Sequence, residues 1–380
     1  MIYDLTEDQA RFRDAVESYL TKNYSEETRR KIVASEAGMS VDLWRGLASD
    51  IGVLGLAFDE ADGGLGGGAL DQIPVMEAFG RALLVEPYLE TAILAGELLK
   101  RSTSPVARPL IEGIINGEIR LAVARTEPGH RFASDPIDTL AKPISAKGYR
   151  ITGQKTTVVA APWAHSILVV AKLTESPSDR VSVFVVPADA QGVRLHNYRT
   201  IDGRRASDID LEAVVVTAQS CLMQGPDAVA ALSAAYDVAT AAVCAEAVGI
   251  MRCLLGQTHA HLQDRRQFGA PLASFQVLQH RMADMLVALE LSAAHAYRAA
   301  SALDSKADNR ESAVSAAKAF IGRAAKRVAH EAVQMHGGMG MSDELMIGRL
   351  FKRTIAIEAQ FGSTSHHIRR FQMLRDAVAA

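Results

Sequence analysis

The chain has 380 residues, 48 % apolar and 22 % charged, which predicts two to three domains with a sizeable core and excludes a disordered protein. With 41 basic and 44 acidic residues its formal charge is −3, so no electrostatic footprint for a nucleic acid partner follows. The three cysteines, Cys221, Cys244 and Cys253, stand in no C-x-x-C spacing, which excludes a disulfide framework and a cysteine zinc site.

Uninterrupted apolar runs fall short of the roughly 20 residues of a bilayer span. The opening stretch, Met1 to Phe12, is charged and amphipathic and predicts no signal peptide. A cytoplasmic protein is the expectation.

Residues 1–119 read as helical. Leu5, Phe12, Ala15, Val16 and Leu20 recur on one helix face, and Thr6 before Glu7, Asp8 and Gln9 reads as an N-cap with an acidic first turn. Further helices are expected near 41–51 and 69–101, with a glycine-rich break between them. Residues 120–224 carry short β-branched runs: Ile151–Thr152, Thr156 to Val159, Ser166 to Val170, Val181 to Val186 and Val214 to Val216. Gly148, Gly153, Pro162, Pro187 and Gly192 punctuate them, as in a compact β domain. Residues 225–380 return to helix, alanine-rich over 228–248, 293–302 and 313–330, a composition suited to a close-packed bundle. The fold class read from this order is α+β, helical at both ends with a β domain between.

The run Gly64–Leu65–Gly66–Gly67–Gly68–Ala69 fits G-x-G-x-x-A, but a dinucleotide fingerprint needs a strand before it. Here a helix-like segment precedes, so a loop between helices is expected. His259–x–His261 and His366–His367 lack acidic or cysteine partners at ligand spacing and predict no metal site. No G-x-S-x-G elbow and no P-loop occurs.

The third block holds two more pointed segments. In 264–285, Arg265, Gln267 and Phe268 end a helix, and Gly269 and Pro271 turn the chain into Phe275 and Gln276. A guanidinium can clamp a pyrophosphate and an aromatic can cover a purine. In 331–353, Gln334 precedes Gly337–Gly338, where backbone amides can approach an anion. Each segment alone also reads as an ordinary helix end.

Taken together, the motifs resemble those of the acyl-CoA dehydrogenase family over essentially the whole chain. The resemblance rests on Val53–Leu54–Gly55–Leu56 with Gly63 to Gly66, Thr126–Glu127–Pro128 with Ser134–Asp135, Ile151 to Lys155, Ala247–Val248–Gly249, Arg265–x–Gln267–Phe268–Gly269 with Phe275–Gln276, and Gln334–x–His336–Gly337–Gly338. It implies an N-terminal helical domain (1–119), a middle β-barrel or sandwich domain (120–224) and a C-terminal four-helix bundle (225–380). It also implies FAD as cofactor, α,β-dehydrogenation of an acyl-CoA thioester, transfer of electrons to an electron-transfer flavoprotein, and a tetramer with FAD at a subunit boundary. In that chemistry a carboxylate removes the α-proton, so the carbonyl must be hydrogen-bonded and the base desolvated.

Carried over position by position, Thr126 is a flavin contact and Ser134 an acyl-CoA contact. Arg265 and Gln267 fall on the pyrophosphate side, Phe268 and Gln276 on the adenine side, and Gln334, Gly337 and Gly338 on the C-terminal cofactor surface. Asp237 falls on a position that contacts the CoA portion.

Departures accompany these matches. The common glutamate of R-L-x-R-D-x-x-x-x-x-x-x-E-G-T is Phe361 here, in the run Arg349–Leu350–Phe351–Lys352–Arg353 to Gly362. The alternative base position, ten residues before Gly249, is Ala239, followed by Thr240 where arginine is common. Where K-x-W-I-T is frequent, Lys155–Thr156–Thr157–Val158–Val159 stands, so Val159 brings no donor for flavin N5. The loop after Pro128 carries two extra residues within His130–Arg131–Phe132–Ala133.

Two readings follow. In one, another acid serves: Glu246, seven residues beyond Ala239 on roughly the same helix face, or more weakly Glu358. Glu246 reads equally as a buried hydrogen-bonding acid at a helix contact. In the other, favoured reading, the chain resembles the small subunits of bacterial α₂β₂ acyl-CoA dehydrogenases and is completed by a partner that carries the base. A non-catalytic partner that completes another subunit's FAD site, and a flavin-dependent oxidase or monooxygenase on the same fold, are the alternatives.

Overall fold

Thr6 caps the first helix, α1 (Glu7–Asn23), by a reciprocal pair: its hydroxyl accepts from the Gln9 amide and the Gln9 side chain accepts from the Thr6 amide. The computed structural model describes residues 5–130, 136–145, 148–174, 180–342 and 344–379. The helices α2 (Glu26–Ala34), α3 (Val41–Ser49) and α4 (Ala69–Ala82) follow. Left-handed Leu83 (φ 51°) stops α4, so the helix expected over 69–101 divides. A π-helical segment, Leu89–Ala95, then runs into α5 (Gly96–Lys100), and α6 (Ala107–Ile115) closes the block.

The glycine-rich run is a loop that follows a 3-10 turn, Glu60–Asp62, with no strand ahead of it. Packing dictates its glycines. A Cβ on Gly64 would lie 2.1 Å from the Phe58 carbonyl oxygen, and one on Gly67 would lie 2.9 Å from that of Leu56. The amides of Ala69 and Leu70 at the start of α4 donate to the Asp304 carboxylate at 2.7 and 2.9 Å. That helix end is therefore capped by protein and offers no phosphate cradle.

Among the described residues eight strands follow: β1 (Leu121–Ala124), β2 (Leu140–Ser145), β3 (Gly148–Val159), β4 (Ser166–Leu173), β5 (Arg180–Pro187), β6 (Val193–Arg199), β7 (Arg205–Thr217) and β8 (Cys221–Gln224). They form one sheet in the order β6-β7-β3-β2-β4-β5-β8, with β1 parallel to β4. Strand β4 lies at the centre of the core, and Ile167 to Ala171 are wholly buried.

The long helix α7 (Pro226–Asp264) leads to a two-strand hairpin, β9 (Arg266–Gln267) and β10 (Ala270–Pro271). Then come α8 (Gln276–Asp304), α9 (Arg310–His336), α10 (Met346–Ala359) and α11 (Thr364–Ala379). Helix α7 is long and apolar enough to cross a membrane, which the search for uninterrupted apolar runs did not reveal; 78 % of its most apolar window is buried in the protein.

Contacts divide the chain into two compact units. One comprises residues 1–29, 68–84 and 240–380. In it α9 packs on α8, α10 and α11, and α4 packs on α1 and α8. Helix α4 also crosses α7 closely: an added Cβ on Gly80 would lie 2.1 Å from the Glu246 carbonyl oxygen, and one on Gly249 would lie 2.0 Å from that of Glu77. The other unit comprises residues 30–67 and 85–239 and contains the sheet.

Candidate active site and cofactor surface

In the sheet-containing unit, Thr126 follows β1 and is tethered from two sides. Its carbonyl accepts from the Thr156 amide at 2.9 Å. Its neighbour Glu127 is 2 % exposed and accepts from Lys155 Nζ at 2.5 Å and from the amides of Asp138 and Thr139 at 2.6 and 3.0 Å. Burial pulls the Lys155 ammonium down to about 8, against the hydrogen bond and charge of Glu127. Burial opposes ionisation of Glu127, but the hydrogen bonds from Lys155 and Thr139 and the Lys155 charge outweigh it and hold the carboxyl below its ordinary range. Thr126 is half-buried, and among the described residues its hydroxyl has no hydrogen-bond partner.

Strand β3 bulges between Lys155 and Val158, and Thr157 there takes a left-handed φ of 53° with its side chain exposed. For a β-branched residue this conformation costs roughly 1–2 kcal/mol. Its amide donates to Asp208 Oδ1 at 2.9 Å. Val159 is half-buried and carries no donor.

In the helical unit, the α7 end turns through the hairpin with Phe268 (φ 52°) and Gly269 (φ 79°) at its tip. Two successive left-handed residues are the geometry of a type I′ turn, whose first position favours asparagine over an aromatic. Phe268 is nevertheless there, 91 % exposed, with its ring edge-to-face with Phe275 at 6.2 Å between centroids. Arg265, Gln267, Gln276 and Gln334 are exposed, and their side chains have no hydrogen-bond or ion-pair partner among the described residues. At Gly337 (φ 63°) and Gly338 an added Cβ would meet nothing within 4 Å. The rings of His261 and His336 stack with centroids 4.3 Å apart and join the α7 end bearing Arg265 to the α9 end bearing Gln334 and Gly337.

The two positions where the sequence resemblance expects a base, 239 and 361, carry hydrocarbon side chains. Ala239 is fully buried. Phe361 is half-buried with φ 59°, in the turn between α10 and α11. His367 Nε2 donates to the Phe361 carbonyl at 3.0 Å, and Lys318 Nζ donates to the carbonyls of Gly362 and Glu358 at 2.8 and 3.0 Å. Burial lowers Lys318 to about 8. Burial, then the Lys318 charge, lowers His367 to about 3, so its imidazole is neutral.

Glu246 reaches neither base position as a free acid. Its Oε1 and Oε2 accept from Arg353 Nε and Nη2 at 2.6 and 2.7 Å, and the two side chains are 2 % and 5 % exposed. A carboxylate clamped on both oxygens is a weak proton acceptor. This is the geometry of a buried acid at a helix contact. Glu358 Oε1 accepts from the Thr364 amide at 3.0 Å. Asp237 is 4 % exposed on α7. Ser134, with the inserted Arg131–Phe132–Ala133, lies outside the described residues. Sequence reasoning gave no role to Arg353 or Lys318 and read His367 only as half of a histidine pair without metal partners; a lysine within the alanine-rich stretch of α9 was the available signal.

Comparison with known sequences matches "Acyl-CoA dehydrogenase, N-terminal domain" over residues 6–118, the "middle domain" over 122–214 and the "C-terminal domain" over 230–373. The chain belongs to the acyl-CoA dehydrogenase family. Acyl-CoA dehydrogenase FadE27 of Mycobacterium tuberculosis is 30 % identical over 355 residues, 90 % of each chain. A solved Tcur3481–Tcur3483 steroid ACAD variant is 28 % identical with TM-score 0.88 and covers 98 % of this chain and 99 % of that one. The ChsE4–ChsE5 complex from Mycobacterium tuberculosis is 27 % identical with TM-score 0.88, covering both chains fully.

Acyl-CoA dehydrogenases are oxidoreductases whose cofactor is FAD. The residues that the sequence resemblance assigns to a cofactor have the chemistry such a dinucleotide needs: side chains of Thr126, Arg265, Gln267, Gln276 and Gln334 without partners among the described residues, and open space above Gly337–Gly338.

Proposed function

We propose that this chain is an FAD-binding subunit of an acyl-CoA dehydrogenase whose α-proton is removed by a carboxylate of a second, related chain. One observation carries the proposal. The turn that would present a base is fully built, with its backbone pinned by His367 and Lys318, yet its side chain is Phe361. Glu246, seven residues beyond Ala239 on the same helix, is spent on Arg353.

FAD, when bound, supplies the hydride acceptor. The Thr126 hydroxyl is the proposed flavin contact. Arg265 and Gln267 with Gln334, Gly337 and Gly338 hold the phosphates, and Phe268 with Gln276 covers the adenine side. Asp237 and Ser134 are proposed on the acyl-CoA side. Electrons pass to an electron-transfer flavoprotein.

A partner of the same family is supported by the surface of α8. Val277, Val287 and Leu291 are 66, 58 and 49 % exposed and fall within about a quarter of the helix circumference. Phe268 adds a further exposed apolar group. The Tcur3481–Tcur3483 and ChsE4–ChsE5 structures carry two-chain names, which fits an α₂β₂ assembly. An acyl-CoA thioester is the substrate class, and the first of these relatives is named for steroids.

The test is flavin content. Protein purified alone and after co-expression with a related chain carrying the glutamate is expected to show a bound-FAD spectrum in at least the co-expressed form. Arg265→Ala is expected to lower that content. Absence of FAD from both preparations contradicts the proposal.

A further inference from the structure

The sheet face beside Thr126 contains a device that the reading above does not use. On the exposed side of the β6–β7–β3 ladder, three acids of β7 each meet a partner on β6. Glu212 pairs with Arg194, Asp210 Oδ2 lies 2.8 Å from His196 Nε2, and Asp208 Oδ1 accepts from the Tyr198 hydroxyl at 3.0 Å. The first two pairs are ordinary cross-strand contacts of solvated side chains.

Asp208 differs. The same Oδ1 that accepts from Tyr198 also accepts from the amide of Thr157 at 2.9 Å. Thr157 is the left-handed residue of the bulge, and a bulge leaves its extra amide without a ladder partner. Asp208 supplies that partner. One residue earlier, the Thr156 amide donates to the Thr126 carbonyl at 2.9 Å. The chain of contacts thus runs from Tyr198 and Asp208 through the strained 156–157 peptide to Thr126. Lys155 and Glu127 hold the opposite side of the same loop.

We propose that Asp208, backed by Tyr198, is a positioning residue for the flavin: it holds the Thr157 bulge, and through it Thr126, in the conformation that meets the cofactor. The inference rests on the FAD-site reading above. It concerns geometry rather than charge, because the 2.9 Å bond needs an acceptor oxygen at Oδ1, and an amide oxygen serves that purpose.

Three variants test it on the flavin-loaded assembly: Asp208→Ala, Asp208→Asn and Glu212→Ala. Leaving the Thr157 amide without its acceptor corresponds to about a tenfold effect. Asp208→Ala is expected to raise the FAD dissociation constant about tenfold or more, to shift the visible flavin band, and to speed amide hydrogen exchange in peptide 155–159. Asp208→Asn is expected to stay within about twofold of the parent. Glu212→Ala, which removes a neighbouring pair on the same face, is expected to leave all three readouts unchanged. Parent-like flavin affinity and spectrum in Asp208→Ala overturn the proposal. Equal damage from Asp208→Asn also overturns it, since charge and not the anchor would then be decisive. A parent assembly that holds no FAD defeats the functional reading instead; the exchange rates still report whether Asp208 anchors the bulge.

Discussion

Glu246 and Arg353 form a bidentate ion pair with almost no solvent access. Such a pair gains little over well-packed hydrocarbon, but removing one member strands a buried charge at a cost of about 3–5 kcal/mol. Glu246→Ala is therefore expected to lower the unfolding free energy by about 3 kcal/mol in urea melts. An unchanged denaturation midpoint would contradict this role. His367 makes a prediction in pH. Its folded value is about 3 against an ordinary 6.5, so between these limits the unfolded chain binds a proton that the folded chain excludes. Stability is therefore lost as pH falls through that window. The Tm of the parent is expected to fall more steeply from pH 7 to about 4.5 than that of His367→Gln, which keeps a donor for the Phe361 carbonyl. Parallel curves would contradict it. That Phe361 and Ala239 stand where a register count against the family motifs expects a base is legible in sequence. The engagement of Glu246 is not, because its partner lies 107 residues away on another helix.

At the scale of elements, glycines mark where helices touch. Gly249 faces the Glu77 backbone across the α4–α7 crossing, while on the same helix Gly256 has nothing within 4 Å of an added Cβ. Gly249→Ala is expected to destabilise by about 1–3 kcal/mol, and Gly256→Ala to stabilise by about 0.5–1 kcal/mol through its helix propensity. Thermal melts of the two variants check the contrast; shifts of the same sign would contradict the crossing geometry. Strands β3, β4, β5 and β7 could be read from their β-branched runs, and Thr6 from its capping pattern. Strand β6 could not, because its residues Val193–Arg199 are mostly polar and exposed at a sheet edge. The bulge at Thr157 was likewise invisible; Gly269 and Pro271 announced a turn after Phe268, but not that Phe268 itself takes a left-handed conformation, which its side chain, like that of Thr157, disfavours. Strain of this kind at motif positions is what a ligand site tolerates and a plain scaffold avoids.

For the whole molecule, the proposed division of labour is between chains: this one supplies FAD contacts, and a related one supplies the carboxylate. The order helix, sheet, helix followed from the sequence because each block buries its apolar residues at its own period, and the family resemblance rested on ordered motifs such as Thr126–Glu127–Pro128 and Arg265–x–Gln267–Phe268–Gly269. The exposed apolar face of α8 emerged only from the folded chain, since sequence alone does not tell an exposed apolar side chain from a buried one. Anaerobic titration with acyl-CoA thioesters, following the visible flavin band, separates the possibilities. The FAD-loaded chain alone is expected to show no bleaching, and the assembly with a related chain bearing the glutamate is expected to bleach. Bleaching by this chain alone, abolished by Glu246→Gln, would contradict the division of labour and return the role of base to Glu246.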